Sequence, residues 1–212
     1  MSPSIGVRQR KEELERAAGR PVSRETIDRI ESYGELLRRA NQQQNLISAS
    51  TLEHFWDRHI LDSAQLVRFE PHLGASWVDV GSGAGLPGIV IACLVSGPVT
   101  LVEPRRLRAE FLSETVSALR LGAEVKQAKI ERITGTFEVI TGRAVASLGK
   151  FLSMCDHLST RKTQWVLPKG RSAHSELAEV RHSWQGVFHV EPSVTDGEAK
   201  IIVGTGVRAR NR

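Results

Sequence analysis

The residues with the clearest chemical promise are consecutive: Trp77-Val78-Asp79-Val80-Gly81-Ser82-Gly83-Ala84-Gly85-Leu86-Pro87-Gly88. The first four read as a short buried strand, after which Gly81, Gly83 and Gly85 recur at every second position. The apolar run Ile89 to Val95 reads as a helix with Pro87 in its first turn. Strand, glycine turn and helix is how an open parallel sheet builds a ligand crevice at the carboxyl ends of its strands. Glycine tolerates positive φ and lets a ligand approach the backbone. The opening N–H groups of the helix are donors for a polar or anionic group. Two carboxylates accompany the turn. Asp79 stands two residues ahead of Gly81, and Leu101-Val102-Glu103 ends the next apolar stretch eighteen residues past Gly85. A carboxylate there suits the hydroxyls of a ribose.

Two ligand classes compete for this turn. Gly83 to Gly88 matches the G-x-G-x-x-G pattern of dinucleotide binding, a weak signal alone. Counted from Asp79, however, the register is D-x-G-x-G-x-G, which resembles the first motif of S-adenosylmethionine-dependent methyltransferases. That cofactor has no pyrophosphate; it needs a roomy turn and polar groups for its amino-acid end, where Asp79 could serve directly or through water. A methyl donor is therefore expected. An NAD-dependent oxidoreductase is the alternative enzyme, and a non-catalytic RNA-binding module with a degenerate cofactor pocket the alternative of another class.

The elements that must hold these residues can be read outward from them. The 212 residues fit one large domain with an added subdomain. Residues 1–22 are polar and suggest a frayed or short first helix. Pro21 and Ser23 start a second, whose face carries Ile27, Ile30, Tyr33 and Leu37 until Asn41 to Asn45 breaks the pattern. Ser50-Thr51-Leu52-Glu53 is a capping box opening a helix through Phe55, Trp56, Ile60, Leu61 and Ala64. Residues 1–74 thus form a helical cap packed on a sheet, 75–207 the catalytic domain, and 208–212 a basic tail with Arg208, Arg210 and Arg212.

Beyond β-strand Trp77–Val80, strands are expected at Val99 to Glu103, around Val125, from Phe137 to Ala144, at Trp165 to Leu167 (stopped by Pro168), and at Val187 to Val190 and Lys200 to Val203. The last two form a hairpin about Thr195-Asp196-Gly197. Helices from Arg105-Arg106 to a closing Gly122, from Leu148 to Leu158, and from about Ser175 to Ser183 alternate with them. This is an α/β chain with a mostly parallel, doubly wound, seven-stranded sheet whose last strand is antiparallel. A two-half dinucleotide fold would need a second βαβαβ unit, for which there is no room.

Composition narrows the setting. Net charge is +5 with a pI near 9.6, which favours an acidic partner, nucleic acid first. Cys93 and Cys155 are too few for a disulfide framework, and no leading segment suggests secretion, so a cytoplasmic protein is expected. The run Ile89 to Val95 is too short to span a bilayer. His54 and His59 are off one helical face, and no H-E-x-x-H or C-x-x-C occurs, so no metal is expected. No long apolar seam is evident, so a monomer is expected. There is no Asn-Pro-Pro or Asp-Pro-Pro clamp for adenine amines, and neither cysteine is placed for covalent attack on a pyrimidine.

Four segments then occur in order: Arg58-His59-Ile60-Leu61-Asp62-Ser63, Val78 to Gly88, Arg143-Ala144-Val145-Ala146-Ser147-Leu148 and Leu167-Pro168-Lys169-Gly170. Together with Asn45-Leu46 they resemble the bacterial 16S rRNA guanine-N7 methyltransferase family, RsmG or GidB. The resemblance runs from about residue 36 to residue 203. It implies a class I S-adenosylmethionine-dependent methyltransferase fold, S-adenosyl-L-methionine as cofactor with S-adenosyl-L-homocysteine as product, and 16S rRNA or the small ribosomal subunit as partner. It also implies that Gly81 and Leu86 contact the cofactor, that Ile130 and Glu131 frame its adenine, that Glu103 holds the ribose and that Arg143 closes the pocket; Gly83 and Asp79, read from the turn itself, are expected beside them. N7 of guanine carries a lone pair and no proton, so no acid–base catalyst is nominated, and rate comes from alignment. Arg143 is the best active-site candidate. Arg58, His59, Arg105, Lys169 and Arg171 are expected to ring the cleft and meet rRNA phosphates.

Overall fold

The computed structural model describes residues 5–52 and 54–210. The capping box read at Ser50 to Glu53 includes Glu53, which lies outside the described residues. Ser48 does the equivalent work, its hydroxyl accepting the Thr51 N–H at 3.4 Å.

The chain opens with helices α1 (Ile5–Ala18), α2 (Arg24–Gln44) and the single turn α3 (Ala49–Leu52). A continuous helical run follows: π-helical from Trp56 to Leu61, α-helical over Asp62–Ala64 (α4), then 3-10 from Gln65 to Phe69. The α/β portion alternates β1 (Trp77–Val80), α5 (Gly88–Leu94), β2 (Val99–Val102), α6 (Arg106–Ala118), β3 (Ala123–Lys126), β4 (Val139–Thr141), α7 (Leu148–Cys155), β5 (Gln164–Lys169) and α8 (Ala173–Val180). It ends in the hairpin β6 (Trp184–Pro192) and β7 (Lys200–Ala209).

The sheet has seven strands in the order β3-β2-β1-β4-β5-β7-β6. β1 to β5 are parallel, and β7 runs antiparallel to both neighbours, so six strands point one way and β7 alone points the other. From β1 the chain winds out to β3, then returns to place β4 on the other side of β1. This reversal is the switch point at which open α/β sheets leave a crevice. Strand alternation sends Trp77 to one face and Val78 and Val80 to the other, so a core lies on each side. One core joins α1, α2 and the cap run to α5 and α6; the second lies under α7 and α8.

Several expectations are corrected. Residues 1–22 hold no frayed helix over the described part: α1 is 14 residues long, and Leu14, Ala17, Ala18 and Val22 pack into the first core. Helix α2 does not break at Asn41 but continues to Gln44 and ends on Asn45 in the left-handed region. Asn41 Oδ1 accepts the Ile47 N–H at 2.8 Å and so shapes the exit. Helix α6 is closed by Arg120 (φ 52) rather than by Gly122. Its N–H bonds the Ser117 carbonyl, and the Leu121 N–H bonds the Val116 carbonyl, which lays Leu121 on the core edge. Pro168 does not stop β5. Beyond Val166 the strand has lost β4 as a neighbour and pairs with β7 alone, so a residue without an N–H sits in a half-edge strand. Arg208 belongs to β7 instead of a tail, and the backbone N–H of Arg210 bonds Ser183; Arg212 lies outside the described residues.

Candidate active site

The glycine turn takes the shape its residue types require. Gly81, Gly83 and Gly85 have φ of 69°, 55° and 95°, all in the left-handed region that favours glycine. A Cβ on Gly81 would come within 3.0 Å of Val145 Cγ2, so this glycine keeps open the space between the turn and the loop after β4. Tyr33 of α2, fully buried, donates its hydroxyl to the Ala84 carbonyl at 2.8 Å and ties the cap to the turn. The turn is therefore clamped from a helix fifty-one residues away in sequence.

Asp79 is placed differently from its expected role. Its side chain is buried beneath the turn, where Oδ2 accepts the Gly88 N–H at 3.1 Å. The helix opening that might have faced an anion is thereby satisfied from within. Burial raises the Asp79 pKa to about 6, and the Gly88 hydrogen bond only partly offsets that. Oδ1 has no hydrogen-bond partner among the described residues. Asp79 orients the turn from below and does not line the cleft.

The cleft itself has a volume of about 370 Å³ and opens over β1, β2 and β4. Its walls include Gly81, Gly83, Leu86, Glu103, Arg105, and Arg143 with Ala144. Glu103, just past β2, is 3% exposed and accepts the Gly83 N–H on Oε2 and the Arg105 N–H on Oε1, each at 2.9 Å. Two backbone bonds hold the carboxylate rigid, and each oxygen keeps a lone pair for an incoming hydroxyl. A vicinal diol at the end of β2 and an uncharged backbone approach at the glycines fit this donor set. A pyrophosphate would meet Glu103 as a like charge.

Arg143, two residues past β4, lies between the cap and the sheet. Its Nη1 is 3.5 Å from the Arg58 carbonyl and from Asp62 Oδ2, and Nη2 is 3.3 Å from His59 Nδ1. Arginine can only donate, so His59 Nδ1 accepts and the ring carries its proton on Nε2. Burial, reinforced by the Arg143 charge, lowers the His59 pKa to about 4. His59 is therefore neutral at physiological pH and cannot attract a phosphate as a cation, contrary to the expectation for it.

Arg143 and Ala144 also line a second hollow of about 390 Å³, bounded by Asp62, Pro168, Lys169, Lys200 and Ile201. Asp62 and Ala199 in turn line a third of about 550 Å³ with Arg58, His59 and the hairpin turn Thr195 to Gly197. Asp62 Oδ1 accepts from Gln65 Nε2 at 2.9 Å and Thr195 Oγ1 at 3.2 Å, which joins the cap to the β6–β7 turn. One groove thus runs from the glycine turn past Arg143 to the hairpin.

The remaining expected residues divide. Arg105 is exposed at the cleft lip and Arg58 at the third hollow. Arg171 is exposed and pairs with Glu198, a surface pair that exchanges readily with another anion. Lys169 is largely buried: its Nζ donates to Glu176 Oε2 at 2.8 Å and to the Ala146 carbonyl at 3.0 Å. That ammonium holds the β4 and β5 loops together instead of waiting for a phosphate. Glu176 takes these donors along with Ser172 and Leu148, and they pull its pKa below the ordinary carboxylate value against the effect of burial. Ile130 is buried in the second core and Glu131 is exposed on the 3-10 turn after β3; neither lines the cleft. Sequence reasoning passed over Arg108, a cleft wall one helical turn past Arg105, and gave Asp62 no role. The i, i+3 spacing on α6 was the available signal for Arg108; nothing local marks Asp62's link to Thr195.

Among the described residues no helix is long and apolar enough to cross a membrane, and no cluster of three metal-type side chains occurs. Solved structures with this fold include TrmN from Thermus thermophilus (TM-score 0.56, 16% identity, 71% of this chain and 49% of that one). Another is TYW2 from P. horikoshii in complex with MeSAdo (TM-score 0.56, 11% identity, 70% and 62%). Sequence relatives are closer. The ribosomal RNA small subunit methyltransferase G of Sphingopyxis alaskensis is 46% identical over 187 residues, covering 87% of this chain and 80% of that one. The protein of the same name from Zymomonas mobilis is 40% identical over 200 residues, 90% of each. The GidB family model, described as rRNA small subunit methyltransferase G, matches residues 26–201, so the whole groove from Arg58 to Lys200 lies inside the match and the chain belongs to that family.

Proposed function

We propose that this chain transfers a methyl group from S-adenosyl-L-methionine to N7 of a guanine in 16S rRNA, leaving S-adenosyl-L-homocysteine. The observation that carries the reading is the position of Arg143, among the described residues the one charged side chain shared by the cofactor-sized cleft and the neighbouring hollow. The bound cofactor supplies an electrophilic methyl on a sulfonium, and the protein supplies placement. Glu103 takes the ribose hydroxyls, while Gly81, Gly83 and Leu86 form the wall at the turn, held up by Asp79 and Tyr33.

The acceptor base is read from the second hollow. N7 and O6 of guanine share one edge, so Arg143 at the doorway donates to O6 and leaves the N7 lone pair free. N1–H and the N2 amino group lie on the other edge, and Asp62, which lines the same hollow with Oδ2 3.5 Å from Arg143 Nη1, is their acceptor. N7 has no proton to remove, so the neutral His59 has no base chemistry to perform; it orients Arg143. Rate then comes from gathering the reactants in line. We take the chain to act as a monomer in the cytoplasm; among the described residues the exposed large apolar side chains Leu73, Leu107, Val187 and Val194 sit apart on different elements rather than in one patch.

The test is transfer of labelled methyl to 16S rRNA and to small subunits, with the modified base mapped. Label on N7 of one guanosine is expected; label on an exocyclic amine or a ribose hydroxyl sinks the reading. Acceptor RNA with inosine at the target position probes Asp62. The wild-type protein should favour guanosine over inosine, and Asp62→Asn should lose most of that preference.

A further inference from the structure

A second concentration of positive charge lies at the end of the sheet away from the groove. β5 and β7 pass each other in opposite directions, so both reach both ends. At one end Lys169 pairs with Lys200, and both line the acceptor hollow. At the other, Arg161 precedes β5, and β7 runs on to Arg208. There Arg161, Gln185, Arg208, Ala209 and Arg210 line a separate open hollow of about 590 Å³. Arg208 is eight residues beyond Lys200 along β7, which is roughly 25 Å.

This charge is built into the fold and left uncompensated. Gln185 faces Arg208 across the β6–β7 ladder, beyond a bulge between Gln185 and Val187, and bulges re-aim the residues that follow them. Arg210 is anchored by its N–H to the Ser183 carbonyl at 2.8 Å and by Nε to the Trp184 carbonyl at 3.2 Å. No carboxylate among the described residues lines the hollow. Among the described residues Arg161, Arg208 and Arg210 have no ion-pair partner, and these three line one hollow. Three cations held together repel one another, and a polyanion cancels that repulsion.

We infer that this hollow is a second RNA site that grips rRNA phosphates at a distance from the methylated base. It rests on the reading that the acceptor is small-subunit rRNA. Among the described residues no aromatic side chain lines the hollow, so the grip is on phosphates and independent of sequence. Its role is to hold a large, folded substrate in register while the groove takes one nucleotide. An RNA too short to span the separation gains nothing from it.

The experiment compares wild type, Arg161→Gln/Arg208→Gln and Arg161→Lys/Arg208→Lys on two RNAs. One is full-length 16S rRNA, the other a short hairpin carrying the acceptor guanosine, and small ribosomal subunits are titrated beside them as a protein-bearing acceptor. Arg210 is left intact because it closes the hairpin. Binding is titrated from 50 to 200 mM salt, and methyl transfer is followed on the same RNAs. For 16S rRNA the glutamine variant should lose about two from the magnitude of the log–log salt slope, about one per phosphate contact. Its KM should rise while kcat stays, and the lysine variant should restore both. On the hairpin all three proteins should behave alike, with equal melting temperatures. An unchanged slope on 16S rRNA overturns the inference. So does weaker binding only to protein-bearing subunits, which would assign the hollow to a ribosomal protein. If wild type methylates neither RNA nor the small subunit yet the slopes differ, the functional reading fails and the site stands.

Discussion

Arg143 is held by three acceptors from one helical run, the Arg58 carbonyl, His59 Nδ1 and Asp62 Oδ2, all at 3.3–3.5 Å. These are long, weak bonds that a substrate oxygen can outcompete. Arg143→Ala should therefore lower kcat on the order of 100-fold, as loss of one preorganised donor does. Its melting temperature should stay within a few degrees of wild type, measured by calorimetry beside single-turnover methyl transfer. The two shifted titrations have opposite signs. His59 is neutral when folded and takes a proton more easily when unfolded, so its contribution to stability is lost as pH falls from 6.5 towards 4. Asp79 binds its proton more tightly when folded, so it adds stability as pH falls through about 6. The two oppose each other, and Asp79→Asn removes the counterweight. Its stability, followed by urea denaturation, should fall more steeply than wild type between pH 6.5 and 4; parallel curves would refute the assignment.

The glycine turn is a property of several elements at once. α5 can begin where it does because Asp79 of β1 accepts the Gly88 N–H, and that approach requires glycine: a Cβ on Gly88 would overlap Leu101 and Asp79. Gly88→Ala should cost about 2–3 kcal/mol, or about 5–10 °C in Tm, and weaken cofactor binding. Tyr33→Phe is milder and more informative. It removes the bond to Ala84 with little change of volume, costing about 1–2 kcal/mol. Because Ala84 belongs to the turn, calorimetric affinity for S-adenosyl-L-homocysteine should drop with it. Unchanged affinity would show that the turn holds its shape without the cap.

Across the whole molecule, the cap is part of the core that folds the sheet. Leu14, Ile27, Ile30 and Leu37 share one buried cluster with Trp77, Ile89, Ile91 and Leu112. A fragment of residues 75–212 would expose that face. We expect it to lack a cooperative thermal transition, whereas a self-sufficient methyltransferase domain would melt sharply on its own. Polar ties reinforce the junction: Gln164 of β5 donates its Nε2 to the Phe69 carbonyl at 2.6 Å, and Gln65 reaches Ser193 and Val194 of the hairpin.

The strand, the glycine turn, Glu103 and the winding of the sheet could be read locally, because period, positive φ and strand ends leave marks on neighbouring residues. Ile27, Ile30, Tyr33 and Leu37 likewise announce the buried face of α2. The burial of α1 was not legible, since its few apolar residues are outnumbered by charges and only the cap run supplies their partners. Nor could spacing tell that Asp79 lies beneath the turn, that Lys169 is engaged by Glu176, or that Asp62 meets Thr195 across the groove. Asp79 finds a backbone N–H nine residues on, Lys169 a carboxylate seven residues on and Asp62 a hydroxyl 133 residues away, and each partner is chosen only when the chain closes on itself. A buried charge needs such a partner, and its identity is a matter of packing, whereas a turn's need for glycine arises from the backbone itself.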